Sequence, residues 1–239
     1  MDIRSSRPRS ASAIRARSQK SKPARASERQ KGAASGPRRK THGRSPEIID
    51  AAARVFAERG YHGASTQDIA DVLGIRQASL YYYLPSKEAA LEIVCTRGVE
   101  DFYKAAKAIA AGPGTPQEKL TSLIRAHVTP ILDRRDFVKV FLTQRQFLPD
   151  ERRRRIGKLA REIEQIFETV VQQGMRSGQF CSRLNPRLTS LAILGMANAV
   201  VLWYGKETFS IEQIGSEFSA LVLQGLATSD GAKQTDPNR

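Results

Sequence analysis

Apolar side chains recur every three or four positions through most of the chain after residue 44, which is the periodicity of an amphipathic helix. The first such segment places Ile48, Ile49, Ala52, Val55 and Phe56 at this spacing. No segment alternates apolar and polar residues over a length that would indicate a strand. The sequence therefore predicts an all-α fold.

Helix start and stop signals divide this pattern into nine helices. Ser45-Pro46-Glu47 combines an N-cap serine, a proline at the first helical position and an acid in the first turn. Thr115-Pro116-Gln117-Glu118 repeats this arrangement as a capping box, and Gly112-Pro113-Gly114 ends the helix before it. The predicted helices cover approximately residues 45–60, 65–73, 77–83, 86–111, 116–132, 135–147, 150–177, 186–204 and 211–226.

The second and third helices are joined by a very short turn. Gly74 ends the second helix, and only Ile75 and Arg76 precede the third. Leu84-Pro85 ends the third, because the residue before a proline disfavours the α conformation. This spacing is typical of a helix-turn-helix, and its apolar residues can close a small core.

Charge is distributed very unevenly. The chain carries a formal net charge of +15, but residues 1–44 hold 14 Lys/Arg against 2 Asp/Glu, while the rest holds 25 against 22. A disordered basic arm is the preferred interpretation of residues 1–44. A mitochondrial transit peptide is the alternative, and the prolines and glycines of the segment oppose it.

Other chemistry is poorly represented. Cys95 and Cys181 are far apart and lack the spacing of a zinc site, which favours a reducing, cytoplasmic compartment. No nucleophile elbow, phosphate-binding glycine loop or metal-ligand spacing is present, so we expect neither an enzyme nor a cofactor. The apolar run at 191–203 is expected to be too short to span a membrane, and no signal peptide is evident.

Residues 48–91, IIDAAARVFAERGYHGASTQDIADVLGIRQASLYYYLPSKEAAL, resemble the DNA-binding module of the TetR family of bacterial transcriptional regulators. The shared features are Phe-Ala-x-x-Gly-Tyr, Thr-x-Asp-Ile-Ala, Leu-Gly-Ile, Leu-Tyr-Tyr and Pro-Ser-Lys-Glu. Arg76 and Leu84 depart from the family, which usually has a small polar N-cap and an aromatic residue at these positions.

The resemblance implies a domain organisation and a set of DNA contacts. It implies a helix-turn-helix domain (45–91) and an effector-binding and dimerisation domain (92–228), while composition marks the basic arm (1–44) and a flexible tail (229–239). It places Gln77, Ala78 and Tyr81 at base edges. The other expected contacts lie mostly on phosphates and are Thr66, Gln67, Arg76, Ser79, Tyr82, Tyr83 and Lys87.

Consecutive helical residues point about 100° apart, so Tyr81, Tyr82 and Tyr83 cannot all face one core. Residues 45–90 hold four cations and six acids, so the module itself is slightly acidic. We therefore hypothesise that the basic arm supplies non-specific DNA affinity. A solvated arm that serves only solubility is the alternative.

In the C-terminal part, the resemblance implies a homodimer through the last two helices, although a monomer core would have similar spacing. It also implies a small-molecule site between helices four and seven. The tail-end pattern resembles a branch that often senses acyl-CoA thioesters. The candidate ligand contacts are Phe102, Phe137, Phe141, Gln144, Phe167 and Trp203, and for each of them core packing is the preferred interpretation.

The function predicted from the sequence is a cytoplasmic, DNA-binding repressor released from a palindromic operator by a hydrophobic ligand. An enzyme is the second class of function, and nothing in the sequence favours it. An architectural DNA-binding protein that acts mainly through the basic arm is the third.

Overall fold

The computed structural model describes residues 45–227, so the basic arm at 1–44 and the end of the chain from 228 lie outside the described residues. The described part contains nine α-helices and no strand, which confirms the all-α prediction. The helices are α1 (Ser45–Gly63), α2 (Thr66–Val72), α3 (Gln77–Leu80), α4 (Lys87–Ala111), α5 (Pro116–Val128), α6 (Arg135–Gln144), α7 (Asp150–Arg176), α8 (Pro186–Trp203) and α9 (Ile211–Leu226).

Three predicted helices end earlier than the sequence indicated. α3 stops at Leu80, whose carbonyl accepts hydrogen bonds from both the Tyr83 and the Leu84 N–H. α5 gives way to a 3₁₀ turn at Thr129–Ile131, where Pro130 has no N–H to donate. α6 is likewise followed by a 3₁₀ turn at Arg145–Phe147. A 3₁₀ turn preserves helical spacing of apolar residues, and the sequence pattern alone does not separate the two.

Capping explains why the predicted starts agree with the structure. Thr115 and Glu118 form a reciprocal capping box at α5, as predicted, and Ser210 with Gln213 forms another at α9. The Ser86 side chain accepts from the Ala89 N–H at the start of α4. These side chains satisfy N–H groups that have no partner within the helix.

α4 lies at the centre of the bundle and packs against α1, α5, α6 and α7. Gly98 permits its close approach to α6, because a Cβ at this position would lie 2.6 Å from the Phe137 carbonyl oxygen. One continuous core extends from Ile48 to Leu226. The helix-turn-helix segment and the bundle after it therefore share one core.

The outer face of α8 and α9 is apolar. Leu188 and Leu202 on α8 and Leu221 on α9 are 66%, 56% and 61% exposed. In the described part of the chain α8 is long and apolar enough to cross a membrane, because this helix begins five residues before the apolar run at 191–203. Length and composition are the only criteria it meets, and core helices of bundles meet them too.

Candidate nucleic-acid interface and effector cavity

The turn between α2 and α3 is held by backbone hydrogen bonds. Gly74 adopts a φ of 61°, a left-handed conformation that favours glycine. The Ile75 N–H donates to the Ala70 carbonyl at 3.0 Å, which turns the chain back toward α3. At the start of α2, Ser65 and Asp68 cap each other, and these hydrogen bonds from Ser65 lower the pKa of the Asp68 carboxyl. The two helices are thereby fixed relative to each other.

Thr66 is the centre of a polar network on this surface. The Gln77 Nε2 donates to the Thr66 Oγ1 at 2.8 Å, and the Tyr81 hydroxyl lies 3.2 Å from the same oxygen. The network joins the first turn of α2 to α3 and to the residue that follows it. Three of the predicted DNA contacts therefore form one hydrogen-bonded group.

The three tyrosines differ in environment. Tyr81 is 47% exposed and Tyr82 is 79% exposed, while Tyr83 is half-buried. The Tyr82 and Tyr83 rings meet edge to face with centroids 5.2 Å apart. The three rings thus differ in exposure, and they lie in the turn that follows α3.

Four of the remaining predicted contacts are exposed. Ala78, Ser79 and Arg76 are exposed, and Arg76 begins α3 without a side-chain capping bond. Gln67 is exposed and donates to Asp71 at 2.6 Å. Leu84, the second departure from the family pattern, is fully buried in the core.

Lys87 has strong partners within the chain. Its ammonium donates to the carbonyls of Tyr61 and Ala64, both at 3.0 Å, and lies 4.4 Å from the centroid of the Tyr61 ring. Two of its three N–H groups are therefore used to fix the end of α1. One N–H remains for a phosphate.

A cavity of about 220 Å³ lies among α4, α5, α6, α7 and α8. Most of its lining is apolar. The lining residues are Gly98, Val99, Phe102, His127, Pro130, Val138, Phe141, Leu142, Arg145, Ala160, Ile163, Glu164, Leu191, Leu194, Gly195 and Asn198.

Four polar residues border this cavity. The His127 Nε2 lies 2.8 Å from the Asn198 Oδ1, and burial lowers the pKa of His127. The Glu164 carboxylate pairs with Arg187. The Arg145 guanidinium lies 4.7 Å from the centroid of the Phe141 ring, and no carboxylate of the described residues is within ion-pair distance of it. The cavity can therefore receive an apolar group with an anionic group beside Arg145.

The structure divides the six predicted ligand contacts. Phe102 and Phe141 line the cavity. Phe137 and Phe167 are buried in the core, and Trp203 packs against a small cluster around Val128 and Ile131. Gln144 contacts the end of α1, where its side-chain oxygen accepts from the Tyr61 N–H at 2.8 Å.

Sequence reasoning missed His127, Arg145 and Asn198 as cavity residues. No local motif marks any of the three. Their proximity depends on helices far apart in the chain, since His127 and Asn198 are 71 residues apart. Within residues 45–227 no three His, Cys, Asp or Glu side chains group as metal ligands do.

Two family profiles match the described part of the chain. Residues 48–92 match the profile described as bacterial regulatory proteins of the tetR family, and residues 113–226 match the tetracyclin repressor-like C-terminal domain. The transcriptional repressor KstR2 of Mycolicibacterium smegmatis is 30% identical over 80% of this chain and 94% of its own. The chain belongs to the TetR family of bacterial transcriptional regulators.

Solved structures agree with this membership. The ketosteroid transcriptional regulator KstR2 of Mycobacterium tuberculosis superposes with a TM-score of 0.74 at 26% identity, over 79% of this chain and 97% of its own. AibR in complex with isovaleryl coenzyme A and operator DNA has a TM-score of 0.68 at 23% identity, over 74% of this chain and 97% of its own, which shows the fold alone.

TetR-family membership accounts for the helix-turn-helix and for the bundle that follows it. It does not account for the basic arm, because the family profiles begin at residue 48. The M. smegmatis relative is matched almost end to end, while a fifth of this chain lies outside the match.

Proposed function

We propose that this TetR-family regulator is a homodimeric repressor that leaves a palindromic operator when a small hydrophobic ligand, an acyl-CoA thioester, binds in the cavity. The Thr66–Gln77–Tyr81 network carries the DNA-binding part of the proposal. The similarity to a relative described as a repressor supports the direction of control. A palindrome follows from two-fold symmetry of the protein.

In this proposal, α3 enters the major groove of the operator. Gln77 reads an adenine edge, Ala78 contacts a thymine methyl group and Tyr81 faces the bases. Thr66 orients the side chains of Gln77 and Tyr81. The Gln77 amide donates to the Thr66 hydroxyl oxygen, and the Tyr81 hydroxyl lies within hydrogen-bond distance of the same oxygen. The phosphate contacts are assigned to Gln67, Arg76, Ser79, Tyr82, Tyr83, Lys87 and Thr66 itself.

We propose the outer face of α8 and α9 as the dimer interface. Leu188, Leu202 and Leu221 are each more than half exposed on this face of the single chain. An apolar face of two long helices is costly to leave in water, and a second copy would cover it. The segments 45–91 and 92–228 then serve as the DNA-binding domain and the effector and dimerisation domain.

The size of the cavity supports an acyl group as the buried part of the ligand. At about 220 Å³ it lies below the range of about 300–1,000 Å³ that is usual for drug-sized ligands. An acyl chain fits such a volume, while a coenzyme A moiety would remain outside. Arg145 is placed to attract an anionic group at the border of the cavity.

Selection of bound DNA from a random pool, repeated with isovaleryl-CoA, longer acyl-CoAs and free coenzyme A, tests the proposal. We expect one palindromic site whose binding is weakened by an acyl-CoA and not by free coenzyme A. Recovery of no preferred sequence, with weak and uniform protection in a footprint, would instead support an architectural protein.

The basic arm extends the proposal, on sequence grounds alone. Its net charge of +12 adjoins a module with more acids than cations, so we predict that the arm supplies much of the non-specific affinity. Deleting residues 1–40 is expected to reduce the slope of log affinity against log salt by about 0.9 for each lost phosphate contact. An unchanged slope would remove the arm from DNA binding.

A further inference from the structure

The end of α6 lies between the cavity and the DNA-binding module. Phe141, Leu142 and Arg145 face the cavity from α6 and the 3₁₀ turn after it. Gln144 and Phe147, from the same short segment, contact the end of α1. One short segment therefore borders the cavity on one side and the DNA-binding module on the other.

The contact with α1 combines a hydrogen bond and a ring stack. The Gln144 Oε1 accepts from the Tyr61 N–H at 2.8 Å. The Phe147 ring stacks on Tyr61 with centroids 5.8 Å apart and planes 13° apart, and it meets His62 edge to face at 4.5 Å. These contacts fix the position and the orientation of the chain that leaves α1.

A break in α1 makes this contact possible. Gly60 has a φ of 69° and a ψ of 169°, which interrupts the helix immediately before Tyr61. The Gln144 Oε1 lies close to this glycine, since a Cβ there would be 3.4 Å away. The Tyr61 N–H finds its acceptor on α6 at this break.

From Tyr61 the contacts continue into the DNA-binding surface. The Tyr61 hydroxyl donates to Glu88 at 2.6 Å, and its carbonyl accepts from Lys87. Lys87 also holds the Ala64 carbonyl, next to the residue that caps α2. A displacement of Tyr61 is therefore passed to the start of α2 and to the start of α4.

We propose that Gln144 and Phe147 are positioning residues that transmit occupancy of the cavity to the DNA-binding module. The inference rests on the proposed function, in which a cavity ligand controls DNA binding. A group that fills the cavity pushes on Phe141 and Arg145, the end of α6 moves, and Gln144 and Phe147 displace Tyr61. The coupling is a free energy between two sites, so it can be measured as a ratio of affinities.

A substitution that fills the cavity can stand in for the ligand. Ala160 lines the cavity from α7, which is not one of the proposed dimer helices, and Ala160→Leu would place three additional carbon atoms in it. Affinity for the duplex recovered from the random pool is measured for Ala160→Leu alone and combined with Gln144→Leu. Gln146→Leu is the matched control, because Gln146 is exposed on the same turn and donates to the Thr143 carbonyl.

We expect Ala160→Leu to weaken operator binding by about 5- to 150-fold in the wild-type and Gln146→Leu chains, the usual range of coupling between sites. In the Gln144→Leu chain the same change is expected to have an effect below about 3-fold. Thermal unfolding verifies that each variant folds, and Ala160→Val is the smaller replacement if the leucine variant does not. Phe147→Leu, which keeps an apolar side chain and loses the stack, is expected to reduce the effect partly.

One result would overturn the inference while the proposed function stands: an Ala160→Leu effect of equal size in all three backgrounds would show that coupling bypasses Gln144. No effect in any background would overturn the inference as well, and release of the wild-type chain from the same duplex by an acyl-CoA then decides whether the ligand-responsive part of the proposed function stands. Failure of the wild-type chain to select a discrete DNA site would instead overturn the proposed function.

Discussion

The α2–α3 surface and the effector cavity differ in how their polar groups find partners. On the surface, Thr66, Gln77 and Tyr81 lie within 15 residues of one another and form one network. In the cavity, His127 and Asn198 come from distant helices, and Arg145 has no carboxylate partner in the described part of the chain. The surface is organised by local structure, whereas the cavity depends on the whole bundle and leaves one charge available to a ligand.

Removal of a core side chain from the DNA-binding module is expected to give the largest effect, measured as a loss of stability. Phe56, on α1 of the DNA-binding module, is fully buried in the core. Phe56→Ala is expected to lower the free energy of unfolding by about 3–5 kcal/mol, because it removes a buried ring and leaves a cavity. Chemical denaturation measures this change. A loss below about 1 kcal/mol would mean that the module does not depend on this core.

A charge placed in the proposed dimer interface is expected to give the next largest effect. Leu221→Lys introduces a charge at the centre of the proposed α8–α9 interface and is expected to weaken the dimer by about 30-fold or more, as a hot-spot residue would. Sedimentation equilibrium measures the dissociation constant. Leu132→Lys is the control, because Leu132 is also exposed, at 52%, and lies outside α8 and α9. Equal effects from both variants would place the interface elsewhere.

Loss of a single proposed base contact is expected to have a smaller effect, measured as a loss of operator affinity. Gln77→Ala and Tyr81→Ala are each expected to weaken operator binding by about 5- to 150-fold, which corresponds to 1–3 kcal/mol for a base contact. Fluorescence anisotropy with operator and scrambled duplexes separates selectivity from general affinity. Gln165→Ala, at an exposed position on α7, is the matched control. Unchanged discrimination between the two duplexes would remove α3 from base reading.

The smallest effect is expected at the cavity, where His127 makes the free energy of unfolding depend on pH. Burial lowers the pKa of His127, so the unfolded chain binds the proton more readily than the folded one. The contribution of neutral His127 to the free energy of unfolding is complete above about pH 6.5, the pKa of histidine in the unfolded chain. This contribution falls as the pH decreases below that value. Unfolding measured between pH 8 and 5 is therefore expected to show a smaller acid loss in His127→Gln than in the wild type. His62→Gln, at an exposed histidine, is the control, and an identical acid loss in all three chains would contradict the assignment.

Local signals explain why so much of the fold could be predicted. Ser65, Thr115 and Ser210 begin helices through bonds made within three residues, so the starts of α2, α5 and α9 follow from short stretches of sequence. The end of α3 could not be predicted in the same way. The apolar spacing continues past Leu80 whether the backbone there is helix or turn.

Local signals also explain why the DNA contacts could be assigned from the sequence and most of the cavity residues could not. The ten predicted DNA contacts lie in one short segment, and the family pattern assigns them directly, although their contact with DNA stays a prediction. Gln144 shows the difficulty in the cavity. It lies on a helix that borders the cavity, but its side chain contacts Tyr61, and helical spacing does not give the direction of a half-buried polar side chain.

Gly98 restricts how this protein can respond to anything that enters the bundle. With no Cβ between them, the backbones of α4 and α6 touch, and a larger residue at this point would force them apart. α4 reaches the DNA-binding module through Lys87 and Glu88, and α6 reaches it through Gln144. Because the two backbones are in contact at Gly98, we expect that a displacement of either helix also displaces the other.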